Sequence, residues 1–559
     1  MPHYIDLDQS EAGKRLIGRK AATRIGDTLD AARVGACDLA MGGGLAFNYA
    51  ATPVDGKLVD LLGELARGQE LVEKLSLLAK GEVMNTGEKR MVLHHLARGE
   101  LAGPVVKNGR NYREFYEGER KRIAEFARKV RSGEIRGSTG KLFTTAIQVG
   151  IGGSDLGPRA LYLALERAER AAGRARLAAR FISNVDPDDA DAVIGSIDIA
   201  SSLFILVSKS GTTQETLANE TLVRARLAAA GLDPAKHFVA VTSETSPLAK
   251  SPNFLASFFM DDYIGGRYSS TSAVGGVILS LAFGPESFEE LLAGAHEEDL
   301  LALEPDIRKN PALLDALIGV WYRNGAGYGT TAILPYSEAL SRFPAHLQQL
   351  DMESNGKRVN RSGKALTYAT GPVIFGEPGT NGQHSFYQLL HQGTDVIPLQ
   401  FIGFRENQIS SDVRSEGSTS RAKLNANLAA QILAFALGKS DPDSNKEFPG
   451  GRPSTLIHGE RLDAKALGAL LAHFENKVAF QGFAWNLNSF DQEGVQLGKV
   501  LAKKVLAMDA DAALSASGGA SAKAGRSAAA DESGAADESG AADEALAAYA
   551  RLLGTGAGK

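Results

Sequence analysis

Along the middle of the chain, short runs of consecutive apolar residues alternate with longer stretches in which apolar residues recur every three or four positions. Ala146-Ile147-Gln148-Val149, residues 179–184, Leu203-Phe204-Ile205-Leu206-Val207 and residues 237–242 have strand length. Arg159 to Ala172 and Thr213 to Ala230 have helical spacing. This alternation predicts a parallel sheet covered by helices. A second set begins at Thr331-Ala332-Ile333-Leu334 and continues through Pro372-Val373-Ile374-Phe375 and Val396-Ile397-Pro398-Leu399. Two sheets imply two α/β domains, with a site at or between their strand ends. Residues 1–100 read as mainly helical, from the amphipathic spacing of Val59 to Leu65 and of Met91 to Leu96. The predicted division is a helical region at 1–100, a first α/β domain at 101–285, a second at 286–508 that ends in a helix, and a tail at 509–559. Ala, Gly and Ser dominate that tail, and DESGAA repeats across Asp531 to Ala542. It has too few apolar residues to offset the entropy of ordering it, so it is expected to be disordered apart from a short helical stretch at Ala545 to Leu553.

Composition narrows the function classes. The chain has 559 residues, 44% of them hydrophobic and 23% charged, which suffices for two or three domains with substantial cores. A net charge of -5 and the lack of any Lys/Arg run resembling a nucleic-acid patch argue against a nucleic-acid partner. Cys37 is the single cysteine, which excludes an intramolecular disulfide framework and a Cys-rich zinc site. No HExxH or HxxxH pair occurs, and His94-His95 are adjacent, so no metal is expected. No apolar stretch has the length of a membrane span, and MPHYIDLDQSEAGKRL lacks the layout of a signal peptide. The expected location is cytoplasmic, with no membrane partner.

Two loops carry anion chemistry. SKSGTTQET, Ser208 to Thr216, packs hydroxyls between an apolar strand and a helix, where N–H groups are free to meet a phosphate. GIGGSDLGPRAL, Gly150 to Leu161, follows the strand at 146–149; its glycines permit close approach, Ser154 and Asp155 offer caps, and Pro158 suits a first helical turn. The plain alternative for each is an ordinary capped helix. Neither loop fits GxGxxG or GxxxxGK[ST], so a sugar phosphate suits them better than a nucleotide.

Four further segments supply groups for acid–base chemistry. In FPAHLQQLDMESNGK, Gln349 and Glu353 share a helix face and Asn355-Gly356 ends the helix. A carboxylate at that end of the dipole is disfavoured as an anion and is pushed toward the range of a working base; the alternative is a solvated glutamate. GEPGTNGQHSFYQLLHQG delivers His384 to the start of a helix, with His391 seven residues on, and local physics does not choose between them. Gln492, Gln496, Lys499 and Lys503 form one polar face of a helix from about Asp491, opposite Val495, Val500 and Leu501. Arg267, in GGRYSSTSAVG ahead of a small-residue helix, suits an oxyanion or a structural ion pair.

Taken together, GIGGSDLGP, SKSGTTQET, GGRYSSTSAVG, LQQLDMESNGK, GEPGTNGQHSFYQL and GVQLGK, in this order, resemble the glucose-6-phosphate isomerase family from about Asn85 to Lys503. The resemblance implies two sugar isomerase domains of flavodoxin-like topology and a homodimer. It also implies cofactor-free interconversion of glucose 6-phosphate and fructose 6-phosphate, in glycolysis and gluconeogenesis, through ring opening and an enediolate. By motif, Gly153, Ser154, Ser208, Lys209 through its backbone, Ser210 and Thr213 would hold the phosphate. Glu353 matches the base between C2 and C1, Arg267 the cation beside the enediolate, and Gln349 and Gln492 substrate contacts. His384 and Lys499 match the ring-opening pair, the histidine reaching the site from the other subunit; the family pattern favours His384 over His391. Departures are Gly87 where Thr is expected, with consequences for packing or the dimer surface, and Glu493 and Gln496 in place of Trp and Glu, which flank Gln492 and Lys499. A bifunctional glucose/mannose phosphate isomerase lacks most of these motifs. A non-catalytic sugar-phosphate sensor would keep the hydroxyl cradle but lose Glu353, His384 or Lys499, and all three are present. Nothing in the sequence supports an extracellular signalling role.

Overall fold

In the computed structural model, residues 3–516 and 539–555 are described, and their contacts divide them into two compact units, Met1–Asp491 and Gln492–Lys559. In the first unit an antiparallel hairpin, β1 (Asp38–Ala40) and β2 (Leu45–Asn48), precedes two sheets. The first sheet contains β3 (Thr145–Val149), β4 (Ala178–Ile182), β5 (Ser202–Val207), β6 (Phe238–Thr242) and β7 (Ser257–Phe259). Its spatial order is β7-β6-β5-β3-β4 and every pairing is parallel. This is the flavodoxin-like order 2-1-3-4-5, whose direction reverses between its first and third strands. Val149 lies opposite Leu206 in the register, so the loops after β3 and β5 leave the sheet side by side at that switch point.

β5 and β6 are buried at every position, as continuous apolar runs require when helices cover both faces. The two faces feed different clusters: Ile147, Val149, Phe204 and Leu206 pack with Val223 and Leu227, while Ala146, Leu203, Ile205 and Val207 join the main core. That main core is continuous with the second sheet through Ile333 and Ile402, and helices Ala273–Phe283, Pro311–Trp321 and Ala464–Ala484 contribute to it.

The second sheet contains β8 (Thr330–Pro335), β9 (Val373–Phe375), β10 (Leu399–Phe404) and β11 (Ser454–Gly459). Its order is β1-β2-β11-β10-β8-β9, with four parallel strands extended by the hairpin, since β2 pairs antiparallel with β11. The fold is therefore α/β with two flavodoxin-like sheets flanked by helices. The N-terminal hundred residues, read as mainly helical, also supply this hairpin, whose β1 forms one edge of the sheet and whose β2 lies between β1 and β11. Strands of three and four residues are too short to carry a visible period of two. The strand expected at 396–399 instead begins at Leu399, because Pro398 has no N–H to give to a ladder.

In the second unit, a 3-10 turn at Glu493–Val495 leads into helix Gln496–Ala516, several residues later than the expected start at Asp491. The helix also runs past the expected end of ordered chain near 508, where alanine, the best helix former, dominates. Helix Ser539–Leu552 contains most of the stretch expected at Ala545 to Leu553, and most of the DESGAA repeat lies outside the described residues. No helix among the described residues is long and apolar enough to cross a membrane.

Candidate active site

The two anion loops begin helices whose first turns have no side-chain cap. Helix Leu156–Ala171 follows a 3-10 turn at Gly152–Ser154, and helix Gln214–Ala229 follows Thr213. Neither Asp155 nor Thr213 caps its helix. Asp155, expected as a cap, instead pairs with Arg159 at 2.8 Å, while burial pushes its pKa up against the pull of that arginine. An ordinary capped helix is thus not what either loop builds; the leading N–H groups are left for an anion.

The SKSGTT loop is held by its own hydroxyls. Ser208 Oγ accepts from the Gly211 N–H at 3.1 Å and donates to Thr213 Oγ1 at 3.2 Å. Ser210 Oγ accepts from both the N–H and the hydroxyl of Thr212. Gly211 has φ +68, and a Cβ there would strike Ser246 Oγ. The Lys209 ammonium donates to the Ile264 carbonyl at 3.2 Å, and burial lowers its pKa, so its side chain is committed away from the loop.

Gly153 brings the first loop against Arg267. A Cβ on Gly153 would collide with the Gly266 backbone, so only glycine allows this approach. Arg267 is 2% exposed and is fixed on three sides. Its Nε donates to Ser354 Oγ at 2.7 Å, and one terminal nitrogen donates to the carbonyls of Ser489 (2.7 Å) and Asp491 (2.9 Å). The other terminal nitrogen faces Glu353 Oε1 at 3.2 Å. The Glu353 side chain is 25% exposed, so the pair joins a buried, hydrogen-bonded cation to a carboxylate that still reaches solvent.

The residues of MESNGK each hold part of this arrangement. Gln349–Glu353 is a single π-helical turn that continues to Asn355. Ser354 holds Arg267 and lies 3.2 Å from the Tyr268 hydroxyl. Asn355 accepts from Ser489 Oγ at 2.7 Å and donates to the Val478 carbonyl at 3.0 Å. Gly356 leaves no room for a Cβ beside the Met352 carbonyl, and Lys357 pairs with Asp491. Gln349 Nε2 lies 3.4 Å from where a Cβ on Gly152 would stand, while its Oε1 is buried without a hydrogen-bond partner. A buried acceptor left unmatched beside a glycine loop suits a ligand hydroxyl.

Behind this turn, Asp351 is buried and its pKa is pushed up to about 7 by burial, with Lys477 pulling the other way. Lys477 is itself paired with Asp315 at 3.0 Å, and His473 bridges Asp315 and Glu298. Gly87, the expected threonine, packs near Asn488 and Asp491, so that departure bears on the support under Arg267.

His384 is exposed, in the 3-10 turn Asn381–His384 that precedes helix Tyr387–Gln392, rather than within the helix itself. His391 stacks on Phe435 with ring centroids 3.7 Å apart and meets Gln431 Oε1 at 3.0 Å; burial lowers its pKa. It is a packed histidine with a satisfied ring nitrogen. Gln492 immediately precedes the 3-10 turn of the second unit, and Lys499 lies in helix Gln496–Ala516. The first unit therefore brings Gly153, Arg267, Gln349 and Glu353 together, with the Ser208–Thr213 loop beside Gly150–Ser154 at the switch point. Sequence reasoning read Asn355 only as a helix end and missed the supporting roles of Ser354, Lys357, Ser489 and Asp491, although Ser354 and Lys357 stand within a motif already singled out.

Among the described residues, no cluster of His, Cys, Asp and Glu is arranged to hold a metal ion. A cavity of about 560 Å³ lies elsewhere, lined by Leu29, Leu428, Ile432, Leu456 and His458, and includes none of these site residues.

A hydroxyl-rich anion cradle at a flavodoxin-type switch point, beside a carboxylate facing a fixed arginine, defines a phosphosugar-isomerase class of α/β protein. The comparisons narrow that class. The family profile described as phosphoglucose isomerase matches residues 48–524, and the chain belongs to that family. It is 64% identical over 475 residues to the glucose-6-phosphate isomerase of Treponema denticola, covering 85% of this chain and 90% of that protein. The glucose-6-phosphate isomerase of Borreliella burgdorferi is 44% identical over 513 residues, covering 91% and 97%. The crystal structure of a glucose-6-phosphate isomerase from Chlamydia trachomatis superposes with a TM-score of 0.84 at 41% identity, covering 91% of this chain and 97% of that one.

Proposed function

We propose that Glu353 and Arg267 form the proton-transfer centre of an aldose–ketose isomerase. As a member of its family, the chain interconverts glucose 6-phosphate and fructose 6-phosphate, a step shared by glycolysis and gluconeogenesis. The observation that carries the assignment of roles is Glu353 Oε1 standing 3.2 Å from one terminal nitrogen of a guanidinium whose Nε and other terminal nitrogen are already engaged. Glu353 takes the C2 proton and returns it at C1, while the fixed charge of Arg267 stabilises the enediolate as it forms. Gly153, Ser154, Ser208, the Lys209 backbone, Ser210 and Thr213 hold the phosphate, remote from the reacting carbons, and thereby fix their position. Gln349 and Gln492 contact sugar hydroxyls.

Before C2 becomes acidic the ring must open, which needs an acid at the ring oxygen and removal of the C1 hydroxyl proton. His384 and Lys499 form that pair. The exposure of His384 on its own subunit supports a homodimer in which it serves the partner's site. The reaction needs no cofactor and its setting is the cytoplasm; the first sheet falls within the proposed domain at 101–285, and the proposed domain at 286–508 supplies the four parallel strands of the second sheet, to which the N-terminal hairpin adds.

Conversion of fructose 6-phosphate to glucose 6-phosphate, coupled to a dehydrogenase and run in chelator, tests this reading. The parent protein should turn over, and Glu353→Gln should lose about 10³-fold or more in kcat with an unchanged melting temperature. A parent that binds fructose 6-phosphate without converting it would be a sensor, and the isomerase reading would fail.

A further inference from the structure

Within its own subunit His384 is exposed, so what that subunit contributes to orienting the imidazole acts through the turn that carries it. That turn is anchored at two points to the end of β8. The Gly379 N–H donates to the Pro335 carbonyl at 2.9 Å, and a Cβ on Gly379 would collide with the Tyr336 ring. At the second point, Gln383 Nε2 donates to the Tyr336 hydroxyl at 2.6 Å and also to Asn427 Oδ1. The Tyr336 hydroxyl in turn donates to Asn427 Oδ1 at 3.3 Å, and the Tyr387 hydroxyl lies 3.4 Å from it. Tyr336 is fully buried, Tyr387 nearly so, and Asn427 projects from helix Ser420–Leu437. The residue next to His384 thus closes a triangle whose other corners come from a strand end and a separate helix.

We propose that Gln383 is a positioning residue for ring opening: the Tyr336–Gln383–Asn427 triangle fixes the Asn381–His384 turn, and through it the direction in which His384 is presented. The inference rests on the reading of His384 as a ring-opening group. Proton transfer requires the imidazole within hydrogen-bond reach of the sugar, and a misplacement of about 1 Å costs on the order of 10²-fold. Two hydrogen bonds from one primary amide, to partners on different elements, restrain both tilt and translation of the turn. The triangle is an oxygen–nitrogen network in which position 427 must offer an acceptor, which separates Asn427→Asp from Asn427→Leu.

Ring opening can be read apart from proton transfer at C2, because opening and reclosing interconverts the α and β anomers without the enolising base. The experiment measures anomer exchange of glucose 6-phosphate by NMR in the Glu353→Gln background, with the uncatalysed rate subtracted. His384→Ala should abolish the acceleration. Gln383→Leu and Asn427→Leu should each lower it about tenfold or more, with affinity for glucose 6-phosphate within about twofold of the background protein, while Asn427→Asp retains it. Parent-like anomerisation in Gln383→Leu would overturn the inference. So would a loss accompanied by equal loss of affinity or by a lowered melting temperature, since that marks general collapse. If His384→Ala anomerises as fast as the background protein, the assignment of His384 fails first and the inference falls with it.

Discussion

Arg267 gains its place from residues far along the chain: Ser354 is 87 positions away and Ser489 is 222. Local sequence marks an arginine in a glycine-rich loop as an oxyanion candidate, but no spacing rule reveals which carbonyls will turn its fork toward Glu353. The i, i+4 relation of Gln349 and Glu353, by contrast, was legible because it is local, and the structure keeps both in one turn. The histidines divide in the same way. His391 looks equal to His384 until Phe435 stacks on it, a contact 44 residues distant that no local pattern signals. The buried carboxyl behind the turn yields a prediction. Asp351 has a folded-state pKa of about 7 against an ordinary value of 3.8, so the fold favours its protonated form. Its contribution to stability is full below the unfolded pKa and is lost as pH rises through 7. Asp351→Asn has no such dependence, so its melting temperature relative to the parent should climb between pH 4 and pH 8. A difference that stays flat across that window, in matched thermal melts, would show that the carboxyl is not held protonated.

Secondary elements were legible where burial on both faces writes a continuous apolar run, as in β5 and β6, and less so where a strand is short or exposed. The β1–β2 hairpin is too short to show a period of two, and β10 starts after Pro398 because proline denies the ladder a donor. Loop glycines were legible as permissive positions but not as contacts: that Gly153 lies against Gly266 is a property of two loops 113 positions apart, read only from their packing. Adding one methyl there must push the anion loop away from the arginine loop. Gly153→Ala should therefore cost about 1–3 kcal/mol of stability and raise KM for the sugar phosphate more than it lowers kcat. Urea unfolding and steady-state kinetics check both, and parent-like values in both would mean that the approach of the two loops carries no weight.

For the whole molecule, two flavodoxin-type sheets share a continuous core, and the uncapped helix starts and hydroxyl cradle lie at the switch point of the first. The motif order along the chain made the family legible before the fold was known. The assembly was not, because nothing within one chain reports what meets His384. The proposed sharing of sites between subunits makes a specific demand. Glu353→Gln and His384→Ala proteins, inactive alone, should regain up to about a quarter of parent activity in a randomly exchanged mixture, through heterodimers with one intact site. Verified heterodimers with no activity would mean that each subunit uses its own histidine.

The most direct test of the central claim follows the proton itself. Glucose 6-phosphate incubated with the protein in D2O reports abstraction at C2 by loss of the C2 proton signal, whether or not product accumulates. With Glu353 as the base, the parent should wash deuterium into C2, and folded, sugar-binding Glu353→Gln should do so about 10³-fold more slowly. Exchange in that variant within about tenfold of the parent would place the base elsewhere and contradict the account.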